Sequence, residues 1–315
     1  MQKSTKLLLG AILMLDTAMM AGCASAQNNE PEVKPAEIKV VLNEDGIAIY
    51  APKSATTYVA GNDYGKLEHY TYYSKIAEKE KGINVLLPPG YTTEKKYPVL
   101  YVLHGIFGDE NSMVGNPDGG NSVTLVNMMN QGLASEMVVV YPFMYTSKTQ
   151  PQCSAIDEAN VACYDNFIDE MTSSIMPFIS EKYSVLEGRD NTAICGFSMG
   201  GRESLACAFY RPDLFRYVAA MAPAPGLVEG KDFAMFHKGQ FKNEEVKFDT
   251  SKTYPELLMI CCGDSDSVVG TFPLSYHNLF VKNEVEHIWW VVPGSDHGDP
   301  AITSGLYNFV QRLFK

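Results

Sequence analysis

The run Ala193-Ile194-Cys195-Gly196-Phe197-Ser198-Met199-Gly200-Gly201 decides how this chain is read. An apolar, strand-like stretch ends in Gly-x-Ser-x-Gly, and a helical pattern starts at once. A serine so placed sits on a tight strand-to-helix turn with its hydroxyl held clear of the sheet. Gly196 and Gly200 leave room that a Cβ would fill. The following helix aims its first amides at the place where an oxyanion would form. Ser198 is thus a candidate nucleophile, and the amide of Met199 a candidate donor to the oxyanion.

Outward from this turn, short and wholly apolar runs recur at Val99–Leu103, Met137–Tyr141, Val218–Ala222, Leu257–Cys262 and Ile288–Val292. Such runs are expected of parallel strands covered on both faces. Helical patterns over Asn166–Tyr183, Met199–Phe209, Phe272–Asn283 and Ala301–Phe314 separate several of them. The alternation predicts an α/β fold: a mostly parallel central sheet, helices on both faces and right-handed crossovers. Upstream, strand-like runs at Ile38–Val41, Ile47–Tyr50, Leu67–Ser74 and Ile83–Leu87 predict antiparallel hairpins feeding one edge. Trp289 and Trp290 fall in a strand covered on both faces, which places them in the core.

In parallel sheets, ligands bind beyond the carboxyl ends of the strands. Past Leu103 comes His104-Gly105-Ile106, and past Cys195 the Ser198 turn. Past Cys262 comes Gly263-Asp264-Ser265-Asp266, and past Val292 comes Pro293-Gly294-Ser295-Asp296-His297. A serine, an acid and a histidine therefore follow one another at one sheet edge, in the order used by α/β-hydrolases. His297 suits the general base, and Asp266 or Asp264 the acid that orients it. Asp296 and Asp299 read as polar loop residues. A second oxyanion donor is expected from the turn after Leu103, at the amide of Ile106. His104 reads as a brace for that turn. His69, His237, His277 and His287 lie off the motifs and read as surface or structural residues. This chemistry calls for no metal or organic cofactor.

The run Ile83-Asn84-Val85-Leu86-Leu87-Pro88-Pro89-Gly90-Tyr91, then Tyr97-Pro98-Val99-Leu100-Tyr101-Val102-Leu103-His104-Gly105, resembles the esterase group of α/β-hydrolases. That group includes esterase D, the mycolyltransferases and carbohydrate esterase family one. Within it the chain is most similar to bacterial feruloyl and acetylxylan esterase domains, through the Gly-x-Ser-Met-Gly-Gly turn, the Cys-Gly-x-x-Asp acid turn and a histidine shortly before the last helix. The resemblance covers residues 65 to 315. It implies the α/β-hydrolase fold, places the acid at Asp266, and implies a serine esterase that removes feruloyl groups from plant xylan through an acyl-enzyme. Acetylxylan esterase is the alternative, followed by an acyltransferase and an inactive binding protein. Long stretches from Phe107 to Val123, Pro142 to Tyr164 and Pro223 to Glu256 are expected to overhang the site, the last carrying Phe233, Met235 and Phe236.

The chain has 315 residues, 46% hydrophobic and 20% charged, and a net charge of −12. Such acidity makes nucleic acid and anionic membrane surfaces poor partners. Lys3 and Lys6 precede the apolar run Leu7–Leu15, which predicts an export signal over residues 1–22. Met19-Met20-Ala21-Gly22-Cys23 resembles a lipobox, with a lipid anchor at Cys23, and Ala24-Ser25-Ala26 offers a plain cleavage site instead. Either exit places the protein outside the cytoplasm, as a lipoprotein at the cell surface or facing the periplasm, or else secreted. Residues 23–36 read as a flexible tether, and 37–315 as one catalytic domain. Cys195, Cys207, Cys261 and Cys262 lie in apolar stretches and read as buried thiols. Cys153 and Cys163 flank a polar loop that a disulfide could close, a pairing that spacing alone does not fix.

Overall fold

The computed structural model describes residues 41–42, 46–115 and 119–315. The export signal, the tether and most of the first predicted strand lie outside them. The described chain forms a nine-stranded sheet. The strands are β1 (Val41–Leu42), β2 (Lys66–Ser74), β3 (Lys79–Leu87), β4 (Val99–Leu103), β5 (Val138–Pro142), β6 (Thr192–Phe197), β7 (Tyr217–Met221), β10 (Leu257–Gly263) and β11 (Ile288–Val292). Their order across the sheet is β1-β11-β10-β7-β6-β4-β5-β3-β2. The two short strands β8 (Gly230–Lys231) and β9 (Phe236–His237) form a separate antiparallel hairpin.

From β1 to β5 the sheet is parallel, with Leu103 beside Gly196, Phe197 beside Met221 and Gly263 beside Val292. The β2–β3 hairpin adds antiparallel strands at one edge, as expected. Strand β1 departs from that expectation: it joins the opposite edge, parallel to β11. The strand predicted over Ile47–Tyr50 does not form. Its polar groups are taken up elsewhere: Ala48 bonds through both N–H and C=O to the side chain of Asn308, and the Tyr50 hydroxyl donates to Pro293 O.

Successive residues of one strand face opposite cores, which is why these strands are apolar throughout. Tyr101, Leu103 and Ile194 pack on one side with Leu205 and Phe280. Val102, Ala193 and Cys195 pack on the other with Leu125 and Leu306. Both tryptophans are buried, and Trp290 Nε1 donates to Ser304 Oγ. The first side carries α4 (Phe167–Glu170), a π-helical turn at Met171–Ile175, α5 (Met176–Lys182), α6 (Met199–Tyr210) and α7 (Phe272–Lys282). The second carries α1 (Lys53–Thr56), α2 (Asn121–Asn130) and α8 (Ala301–Val310). The single helix predicted over Asn166–Tyr183 is thus interrupted. Pro177 has no N–H to give to the preceding turn, and the hydroxyls of Thr172 and Ser173 bond back to the carbonyl of Asp169.

The segment expected to be loop from Pro142 to Tyr164 contains α3 (Glu158–Asp165), capped by the Asp157 side chain at Asn160 N. No disulfide joins Cys153 and Cys163. Both are free thiols, their Sγ atoms turned to the carbonyls of Ala155 and Ala159. Cys195, Cys207, Cys261 and Cys262 are buried thiols, as expected.

Candidate active site

Four parallel strands deliver the site. Ser198 follows β6 directly, His104 follows β4, Asp266 lies just past β10, and His297 lies past β11. Ser198 adopts φ 56°, ψ −116°, a left-handed backbone that a side chain tolerates only under constraint. The constraint is visible. Ser198 N donates to Met221 O, and Ser198 O accepts from Ala224 N and Arg202 N. The turn is also closed by contact: a Cβ on Gly196 would lie 2.3 Å from the Gly200 carbonyl carbon, and one on Gly200 would lie 2.4 Å from Leu103 O. Only glycine lets α6 approach β4 and β6 this closely.

His297 Nε2 lies 2.9 Å from Ser198 Oγ, and its Nδ1 lies 2.8 Å from Asp266 Oδ2. The other Asp266 oxygen accepts the N–H groups of Val268 and Val269. Burial alone would raise the Asp266 carboxyl, but the His297 hydrogen bond and these two amides hold it below the ordinary carboxylate range. An ionised Asp266 only accepts, so Nδ1 carries the proton and Nε2 presents its lone pair to the serine hydroxyl. The ring of Phe197 packs against the imidazole, centroids 4.5 Å apart.

The rival acids are engaged elsewhere. Asp264 accepts from Gly294 N and Ser265 Oγ. Asp296 binds Ser267 and the backbone N–H of His297, and Asp299 accepts from Thr303 N. The structure brings Ser198, His297 and Asp266 together and leaves these three out.

His104 is fully buried, and burial pushes its imidazole down to about 4. Its Nε2 accepts from Met144 N at 2.9 Å, so Nδ1 holds the proton and donates to Gly105 O at 2.7 Å. Gly105 O also accepts from Gly108 N, and the next amide, Phe107 N, donates to the Tyr164 hydroxyl. In a trans peptide the C=O and N–H point in opposite directions. Holding Gly105 O on one side therefore aims Ile106 N–H to the other. That amide has no acceptor among the described residues. Met199 opens α6, where an amide lacks a helical partner.

Ile106, Met199 and Ser198 line one cleft. Its remaining walls come from two of the three overhanging segments, with Ile156 and Val161 from the second and Ala224, Pro225 and Phe233 from the third. Val268 and Val269 close it beside Asp266. The first segment, Phe107 to Val123, contributes no lining residue; the turn just before it contributes Ile106. Met235 and Phe236 belong to a neighbouring cleft beside Arg202. Two polar residues in the wall were not legible as site residues. Asp232 was not singled out, and His237, read as a surface or structural residue, is buried in this wall. Nothing in their local pattern marks them, because the β8–β9 hairpin that delivers them is two residues long on each side.

Comparison with known proteins agrees with this architecture. The family model described as "Putative esterase" matches residues 74–287, a span that includes Ser198 and Asp266. A CE1 ferulic acid esterase from Anaeromyces mucronatus, solved with ferulic acid, is 42% identical over 86% of this chain and 98% of its own, with a TM-score of 0.80. The feruloyl esterase module from Clostridium thermocellum, solved with sinapinate, is 19% identical with a TM-score of 0.63 and shares the fold. An endo-1,4-beta-xylanase/feruloyl esterase of Xylanibacter ruminicola is 26% identical over 234 residues, which is 72% of this chain and 29% of that longer protein. The chain belongs to the esterase family, carboxylic ester hydrolases built on the α/β-hydrolase fold.

Proposed function

We propose that this chain hydrolyses feruloyl and related hydroxycinnamoyl esters of plant xylan, with Ser198 as nucleophile, His297 as proton carrier and Asp266 as its orienting carboxylate. One observation carries the reading. An unbroken Asp266–His297–Ser198 hydrogen-bonded chain opens onto an apolar cleft, in a sequence 42% identical to a ferulic acid esterase.

Ser198 Oγ attacks the ester carbonyl as its proton passes to His297 Nε2. The amides of Met199 and Ile106 receive the oxyanion, and loss of one such donor costs about 100- to 1000-fold in turnover. His297 then protonates the departing sugar alcohol, leaving the acyl group on Ser198. Water, deprotonated by the same imidazole, releases the acid and restores the serine. The flat aromatic acyl group lies between the apolar walls, where pockets of this kind gain most of their affinity.

The test is turnover of methyl ferulate and of 4-nitrophenyl acetate by the wild type and by Ser198→Ala. The expected result is hydrolysis of both, a higher kcat/KM for ferulate, and loss of both in the variant. Cleavage of acetyl esters without ferulate would shift the reading to acetylxylan esterase.

We further propose that the domain is exported and tethered by residues 23–36 to a lipid on Cys23. The charged start, the apolar run and the Ala21-Gly22-Cys23 junction support this. Radiolabelled palmitate should mark the expressed protein and fail to mark Cys23→Ala.

A further inference from the structure

The cleft over Ser198 is apolar except at two other residues, Asp232 and His237, and these two face each other. His237 Nε2 lies 3.0 Å from Asp232 Oδ2, and both side chains are more than nine-tenths buried. Asp232 Oδ1 is spoken for. It accepts Ala234 N at 2.8 Å and Met235 N at 2.7 Å, which closes the tip of the β8–β9 hairpin. Oδ2 accepts from His237 alone among the described residues, so it retains a lone pair.

Burial by itself would raise the Asp232 carboxyl, but the Met235 amide, His237 and the Ala234 amide hold it below the ordinary carboxylate range. The group is therefore an anion at neutral pH and can only accept hydrogen bonds. His237 Nε2 must then carry its proton, which leaves Nδ1 without a partner on the far side, next to Gly226 and Arg202.

A carboxylate in an apolar wall loses hydration that only a donor on the ligand can replace. Acetyl has no donor. An unsubstituted cinnamoyl group has none either. A hydroxycinnamoyl group carries one at its far end, the phenolic O–H.

We propose that Asp232, held in place by His237, accepts the phenolic hydroxyl of the acyl group and so selects hydroxycinnamoyl over plain aromatic acyl esters. The assignment rests on the feruloyl reading above and adds the residue that reads the acyl group. Sites built to bond a substrate hydroxyl reject analogues that lack it far more strongly than apolar pockets reject a missing methylene. A hydrogen bond to a charged acceptor corresponds to about 10- to 100-fold in kcat/KM.

The experiment compares methyl ferulate, methyl para-coumarate, methyl cinnamate and methyl 3,4-dimethoxycinnamate on the wild type and on Asp232→Asn. Asparagine keeps an oxygen for the Ala234 and Met235 amides, so the hairpin tip is preserved, and it removes the negative charge. In the wild type the two phenolic esters are expected to exceed the other two by about tenfold or more. In Asp232→Asn that ratio should collapse toward one. Equal turnover of all four esters by the wild type would overturn the assignment and leave the feruloyl reading standing. A variant that slows all four alike would also overturn it, since Asp232 would then only support the turn. A wild type that cleaves acetyl esters and none of the four would remove the feruloyl reading itself, an outcome distinct from the other two.

Discussion

The imidazole of His104 donates to the carbonyl of the very next residue, Gly105, at 2.7 Å, and in doing so fixes where the Ile106 amide points. The bond is possible because Met144 N occupies the other ring nitrogen. A side chain outside the triad thereby orients half of the proposed oxyanion hole. Replacing His104 by Ala is expected to lower kcat on 4-nitrophenyl acetate by about 100-fold, within the range for losing one donor, with little change in KM. Steady-state kinetics checks this, and an unchanged kcat would show that the Ile106 amide is held without the imidazole.

The choice of acid is tested by Asp266→Asn against Asp264→Asn. Asparagine at 266 still accepts the Val268 and Val269 amides, but its NH2 opposes Nδ1–H and favours the wrong tautomer of His297. A loss of about 10,000-fold in kcat is expected, by analogy with the same exchange in serine proteases. The Asp264 side chain accepts from Gly294 N and Ser265 Oγ and not from His297, so its variant should stay within about threefold of the wild type.

Gly200→Ala tests the closeness of the elbow. The new methyl would lie 2.4 Å from Leu103 O and 2.7 Å from His104 O, both backbone atoms. Relief requires α6 to move off β4, and overpacking of this kind costs about 1–3 kcal/mol. Both a lower melting temperature and a loss of turnover are expected, because the atoms displaced adjoin Ser198 and His104. Thermal unfolding and kinetics on the same preparation read the two effects together.

Acid should unfold the protein by a route that begins above the carboxylate range. His104 and His287 are both pushed down to about 4, mainly by burial. The free imidazole titrates near 6.5, so between those values the unfolded chain binds more protons than the folded one. The stability from keeping these rings neutral is complete above about pH 6.5 and falls as pH drops toward about 4, by roughly 3 kcal/mol for each ring. Urea midpoints measured across this window should decline, and His287→Asn should flatten the decline. A flat profile in the wild type would contradict the buried neutral state of both rings.

The elements that the sequence made legible are those whose local pattern and tertiary role agree. The apolar run Leu257–Cys262 reads as a covered strand and is one, Leu257–Gly263, and Gly-x-Ser-x-Gly between strand and helix reads as the tight turn it forms. Helix α2 was missed because Val123 through Met129 are all buried, which leaves no polar stripe to reveal a helical period. Helix α3 did carry a signal, Asp157 as a cap followed by Glu158, that its mixed composition obscured. Strand β1 pairs with β11 across more than 240 residues, a partnership that no local pattern encodes. Asp232 and His237 escaped for the same reason: their meaning lies in the distant Ser198, whose cleft they share.

The role proposed for Ser198 is to carry the acyl group in mid-reaction. It is tested most directly by quenching the enzyme in acid during turnover of a 4-nitrophenyl ester of ferulic acid and mapping the peptides by mass. One feruloyl group is expected on the peptide containing Ser198, and none on that peptide from Ser198→Ala. A feruloyl group found on another residue, or full turnover retained by Ser198→Ala, would contradict it.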